Sequence, residues 1–412
     1  MGHNRRTFII TAAAALSAAG PWRTSLARDD TMKDRISRDL QGWDAIRDHR
    51  TGTAGDQQTA RWLAEQIRAA GAQPELTRFD FQRRVPGECF VSNGRRRAVG
   101  VPLFDGGSTG PEGVSGPLGA LARRHPVGLA FYEPFSGHPD TRRLDAARRE
   151  NRHQAIVAVA AGKSVKPGLA LLNADRFGKP FGPPVLQVAT EHGNWLRTLA
   201  GGGATITVAA PGRTEPCQVT NVQARIRGSQ PDLAPLVVMT PRSAWWTCTS
   251  ERGGGISIWL EALRRFSAAP PARDTIFIAN TGHELGHVGL EHFLRSGPGL
   301  VRGAHCWVHL GANFAAAGGD VLYQASDAGL MDLGLEAVAA AGAAQPNVTE
   351  VGQRPLGEAR DIFDGGGRYV SLLGSNPLFH HPDDRWPGAV DLTRTERLMR
   401  AMLQVITRLS RA

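Results

Sequence analysis

Apolar residues recur along the chain with two periods. Between residues 32 and 72 the spacing predicts helix, turn, helix. In the stretch Thr59–Arg68, Ala60, Leu63, Ala64 and Ile67 share one face, and Gly71 ends the helix. Glu75 to Phe81 then alternates as a strand does. From Asn221 onward, short apolar runs alternate with amphipathic stretches. Leu236–Met239, Thr275–Ala279, His305–Leu310 and Tyr369–Leu373 read as strands. Gly255–Phe266, Val288–Leu294, Met331–Ala341 and Arg394–Leu409 read as helices. Strands alternating with helices predict an α/β fold, a mixed central sheet with helices on both faces. In such sheets ligands bind beyond the C-terminal ends of the strands. Arg242–Ser243, His283–Glu284 and the loop around His380 all fall there.

Residues 85–216 break this pattern. Gly and Pro become frequent, and short apolar runs such as Val127–Phe131, Ala155–Val159 and Pro184–Val188 alternate with turns. A β-rich inserted module is expected, leaving 28–84 and 217–412 as the two parts of the main domain.

The N-terminus has its own pattern. Asn4–Arg5–Arg6–Thr7–Phe8 precedes an Ala-rich apolar stretch, and Ser25–Leu26–Ala27 offers small residues for cleavage. Residues 1–27 are expected to be a twin-arginine-type signal peptide, giving a periplasmic or secreted protein. The apolar run is short for a bilayer, so no stable membrane span is expected.

Charge changes the picture little. The 412 residues carry 48 basic and 38 acidic side chains, a net charge of +10, nearly all of it from Arg. No long basic block with interleaved aromatics is present, which argues against nucleic acid as a partner. Arg95–Arg97 follows Asn93–Gly94 and reads as a turn. The four cysteines, Cys89, Cys217, Cys248 and Cys306, contain no C-x-x-C. An exported protein permits disulfides between them, and each equally reads as a buried free thiol.

His283–Glu284–Leu285–Gly286–His287 matches H-E-x-x-H, in which two imidazoles on one helix face bind zinc. Here the motif follows a strand and Gly282, and no third ligand is placed for it. His287 and His292 read better as ordinary helix histidines.

In a wider frame the segment resembles the co-catalytic zinc exopeptidases of metallopeptidase family 28, which include aminopeptidases and glutaminyl cyclases. His49–Asp56 and the helix after it, Leu236–Ser243, Ser250–Gly255, Gly282–Gly289, His309–Asn313 and His380–Asp384 follow that family's order. The insert resembles the protease-associated domain. By this resemblance the family's first metal-binding His is lost in Thr240–Pro241–Arg242–Ser243. The bridging Asp becomes Glu251, the catalytic-base Glu becomes His283, the next ligand Glu is kept as Glu284, a later Asp becomes Gly311, and the last His is His380. One metal has thus lost its ligands. The other keeps Glu251, Glu284 and His380, so the resemblance implies a single zinc or other divalent metal at those residues.

On that reading His283 is the base, and Arg242 or Arg252 binds an oxyanion or a substrate carboxylate. Trp245, Trp246 and Arg360 are candidate contacts for the substrate, and Asp384 stands behind the ligands. The expected function is hydrolysis of an amide or related bond in a small or peptide-like substrate, with weak or no ordinary aminopeptidase activity. Two other readings remain: a non-catalytic binding protein on the same fold, and a metal-free enzyme using the Arg/Glu/His cluster.

Overall fold

The computed structural model describes residues 30–135 and 137–411, so the expected signal peptide lies outside the described residues. The main sheet has eight strands. Their spatial order is Pro74–Pro86, Gly212–Ile226, Thr275–Asn280, Leu236–Pro241, Cys306–Leu310, Tyr369–Gly374, Val321–Ala325 and Asn347–Val348. The four strands at its centre, from Thr275–Asn280 to Tyr369–Gly374, are parallel.

Both faces of the central strand Leu236–Pro241 are buried, and its side chains divide between two cores. Leu236 and Val238 pack with the helices Met32–Ala45, Ala54–Ala69, Thr249–Ala268 and Leu392–Leu409. Val237 and Met239 pack on the opposite face with Leu290, Trp307 and Ile362. A strand enclosed on both sides needs apolar residues at every position, hence a continuous run in place of alternation. The fold is therefore mixed α/β with helices on both faces. Val321–Ala325, Asn347–Val348 and the helix Ala359–Asp364 add to the elements expected from sequence.

Pro74–Pro86 and Gly212–Ile226 pair antiparallel over their whole shared length, from Pro74↔Ala224 to Pro86↔Gly212. This ladder leaves the main sheet and leads to a second eight-stranded sheet whose strands all lie between Phe90 and Ala209. Two helices, Pro139–Glu150 and Gly193–Gly201, flank its core. All four cysteines are free thiols. Among the described residues no helix is long and apolar enough to cross a membrane.

Candidate functional site

The C-terminal ends of the parallel strands carry the polar residues. Helix Thr249–Ala268 begins there, after Cys248 in a left-handed conformation (φ 45°) that supplies no side-chain cap. Asp384 takes over that task. Its carboxylate accepts from the backbone N–H of Ser250 (2.8 Å) and of Glu251 (3.0 Å), satisfying donors a helix start leaves free. Burial, then the charge of Glu251, pushes the Asp384 pKa up to about 7.

This cap fixes Glu251 and Arg252. Arg252 Nη2 lies 2.8 Å from Glu251 Oε1, as an ion pair lacking the alignment of a hydrogen bond. Arg252 Nε donates to the Ser243 carbonyl at 3.2 Å, while Nη1 is buried without a partner. His380, itself left-handed at φ 55°, donates Nδ1–H to the Leu171 carbonyl at 2.6 Å. Its Nε2 then faces Glu251 Oε1 at 3.4 Å. Burial alone would raise the Glu251 pKa, but Arg252 and then His380 outweigh it and hold the carboxyl below its usual range.

The strand Thr275–Asn280 ends in a reversal that separates His283 from Glu284. His283–Leu285 is a single 3₁₀ turn between two left-handed glycines, and His287 is left-handed (φ 61°) at the start of Val288–Ser296. Gly286 has φ 78°, and a Cβ there would meet the Asp175 carbonyl oxygen at 2.7 Å, so only glycine fits. H-E-x-x-H is thus not one helix face. The turn still stacks the two imidazoles, 5.0 Å between centroids. His283 Nδ1 lies 3.0 Å from Glu358 Oε1, which also accepts from Asn280 at 2.8 Å. His287 Nδ1 pairs with Asp361 at 2.6 Å. Burial, then Arg252, holds the His283 pKa well below the ordinary range, so the ring is neutral. His309, close by, is lowered to about 4, chiefly by burial.

Glu284 points the other way. One oxygen accepts from the Thr51 N–H (2.7 Å) and the other from Ser243 Oγ (2.6 Å). Burial raises its pKa. The expected ligand group Glu251–Glu284–His380 is not assembled: its ligand atoms do not form a group lying within 4.8 Å of one another among the described residues, and Glu284 is turned to Thr51 and Ser243. The other half of a two-metal site fares no better. A Cβ on Gly311 would meet Leu373 Cδ2 at 2.4 Å and His309 Cε1 at 2.8 Å, so an Asp there would require both side chains to shift. The residues present do not fit the metal set that the resemblance implies.

Other expectations also change. Arg242 is not available to a substrate. It is fully buried, with Nη1 2.7 Å from Asp56 Oδ1 and Nε donating to the Thr220 carbonyl. Trp245 is buried against Phe104 and donates to Asn173 Oδ1 at 3.0 Å, a core contact. Trp246 donates to the His380 carbonyl at 3.0 Å. Both line a separate depression together with Pro86, Val101 and Pro382. Arg360 does line the main cleft, 3.4 Å from Asp175 and from His287 Nε2.

Arg252, His283, His287 and Arg360 share a cleft of about 660 Å³ between the two sheets, with Leu103, Phe135 and Arg148 among the residues of its far wall. That volume suits a small molecule. From sequence, Glu358 and His309 have no assigned role, and His287 reads as an ordinary helix histidine. Nothing local marks Glu358, a single acid after Gly357. His287 was discounted because helical spacing offered it no third partner. Asp56 resembles a routine capping residue three positions after Thr53, whose hydroxyl does accept from the Asp56 N–H at 3.2 Å.

No family model matches the chain. A curated relative, aminopeptidase YwaD of Bacillus subtilis (strain 168), is 22% identical over 259 residues, which is 61% of this chain and 55% of the relative. The chain thus spans about half the length of that relative. Among solved structures, the zinc aminopeptidase BSAP from Bacillus subtilis superposes with a TM-score of 0.75 at 16% identity, covering 93% of this chain and 96% of that one. A peptidase M28 precursor from Shewanella amazonensis SB2B gives 0.71 at 12% identity, covering 93% and 98%. An aminopeptidase from Aneurinibacillus sp. strain AM-1 gives 0.67 at 14%, covering 92% and 94%. With its mixed sheet and its polar residues gathered at the parallel strand ends, the chain has the fold of the zinc aminopeptidases of metallopeptidase family 28.

Proposed function

We propose that the protein is a hydrolase that cleaves an amide or related bond in a small or peptide-like substrate held in the cleft between the sheets. The observation that carries this reading is the pairing of His283 with Glu358 beside Arg252, whose buried Nη1 has no partner. Buried polar atoms are nearly always satisfied, so an unpaired guanidinium nitrogen at a cleft points to a group that arrives with the substrate. In this scheme Glu358 orients the His283 ring, which holds the attacking water. Arg252 Nη1 donates to the oxygen on which charge develops, in surroundings where water is scarce. Glu251 anchors Arg252, and Asp384 anchors Glu251.

Export through a twin-arginine signal and a protease-associated character for the insert belong to the same proposal. They rest on sequence pattern. The test is turnover of a panel of N-acyl amino acids, aminoacyl anilides and cyclic amides by the purified protein. At least one is expected to be hydrolysed, with aminoacyl anilides poor substrates. His283→Ala and Arg252→Met should each lower kcat/KM by about a hundredfold or more, and Arg252→Met should also lower Tm because it leaves the buried Glu251 carboxylate without its cation. Binding of panel members without any turnover would replace this reading by that of a binding protein, which the locking of Glu251 by Arg252 favours.

A further inference from the structure

We propose that His283, His287 and Glu358 form a binding site for one divalent cation of the zinc class, at residues other than the expected Glu251, Glu284 and His380. The three side chains are buried, and each offers a ligand atom within 4.8 Å of the others. Two imidazoles and a carboxylate with the cleft on one side give three protein ligands and an open position, the arrangement of catalytic zinc. H-E-x-x-H lacks a third ligand in the sequence, and Glu358 supplies it from 71 positions beyond His287.

A second observation points to a ligand independently. Glu358 is 0% exposed, and its Oε2 has no hydrogen-bond partner, while Oε1 is shared by Asn280 and His283. A buried carboxylate oxygen left unpaired is costly, and a bound cation removes that cost. The surroundings resemble those that orient metal ligands. Asp361 accepts from His287 Nδ1 at 2.6 Å, which leaves Nε2 as the free lone pair. Asn280 fixes the Glu358 carboxylate. Arg252, which lines the same cleft, is paired with Glu251 at 2.8 Å. Arg360 Nη2 lies 3.4 Å from His287 Nε2, a long contact from a partly exposed, flexible side chain that a cation displaces.

The inference rests on the proposed function only in using the same residues: a cation on the His283 ring would replace the water that the ring holds directly in that scheme. Its test does not need turnover. The chelator-treated protein is dialysed against Zn²⁺ or Co²⁺, and its metal content and the visible spectrum of the Co²⁺ form are measured. About one ion per chain is expected, with a tetrahedral nitrogen/oxygen cobalt spectrum. Glu358→Gln and His287→Asn should lower this to less than about 0.1 ion, whereas His380→Ala and Glu284→Gln should retain it. Glu358→Asp, which keeps a carboxylate, should recover part of the binding, and circular dichroism confirms folding of each variant. Absence of metal from the folded wild-type protein after dialysis overturns the proposal, even if hydrolysis persists. So does a metal lost with His380→Ala and kept in Glu358→Gln. Binding without any hydrolysis leaves the cation site standing and removes the proposed function.

Discussion

Arg242→Met is expected to destabilise the protein by about 3–5 kcal/mol, the usual cost of breaking a buried ion pair on one side. Arg242 and Asp56 are 0% and 1% exposed, and the pair is 2.7 Å apart. Asp56 also accepts from Thr281 Oγ1 at 2.8 Å and from the Gly52 N–H at 3.0 Å. Removing the guanidinium leaves a carboxylate that is only 1% exposed without its cation. Because the loss arises from that stranded charge, Arg242→Met combined with Asp56→Asn should recover a large share of the stability. Urea unfolding of the three proteins measures this. A single variant within about 1 kcal/mol of wild type would refute the assignment of Arg242 to structure. The consequence reaches the site, since Gly52 neighbours Thr51, whose N–H holds Glu284.

The second large effect concerns acid. His49 stacks on Trp43 at 3.8 Å, shares a 2.7 Å hydrogen bond with Thr59 and has a buried Nε2 without a partner. Burial, then Arg242, lowers its pKa from 6.5 to about 3. The sign follows from proton uptake. Below pH 6.5 an unfolded chain protonates this ring and the folded protein does not, so stability falls with pH until about pH 3. Between pH 7 and pH 4 the contribution lost is roughly 3 kcal/mol. Asp384 acts oppositely. Its pKa is raised to about 7, so its contribution grows as pH falls below that value. Total stability therefore mixes the two, and the comparison of wild type with His49→Gln isolates the histidine. The stability difference, wild type minus variant, should fall by about 3 kcal/mol from pH 7 to pH 4. A difference independent of pH would show that the ring titrates normally.

The strands of the sheet centre were legible because enclosure on both faces demands unbroken apolar runs, as in Leu236–Pro241. Val321–Ala325 was missed because its short run lies between the Gly318–Gly319–Asp320 turn and an Ala/Gly-rich helix, with no alternation. At the site, the sequence identified His283, Arg252, Glu251 and His380 as residues of one mouth. It misjudged Glu284 because direction depends on backbone conformation. On a 3₁₀ turn flanked by left-handed glycines, neighbouring side chains diverge by about 120°, and here His283 reaches Glu358 while Glu284 reaches Thr51 and Ser243. Glu358 escaped for another reason: its partners His283 and Asn280 lie 75 and 78 positions away, and no local period reports such a meeting.

The ladder that ends at Pro86↔Gly212 has a topological consequence. The chain enters and leaves the second sheet through a single hydrogen-bonded strand pair, so residues 87–211 are, for the main sheet, one long hairpin loop. A short turn could close the main fold without them. Such an excision would remove the hydrogen bonds from His380 to Leu171 and from Trp245 to Asn173, and with them insulation. The far wall of the cleft includes Leu103 and Phe135, and Arg252 and His283 on the other wall are 1% and 8% exposed. An interaction between charges several times stronger at an effective dielectric of about 20 than in water would then be screened away. The second sheet holds neither His283 nor Arg252, yet it sets the medium around both.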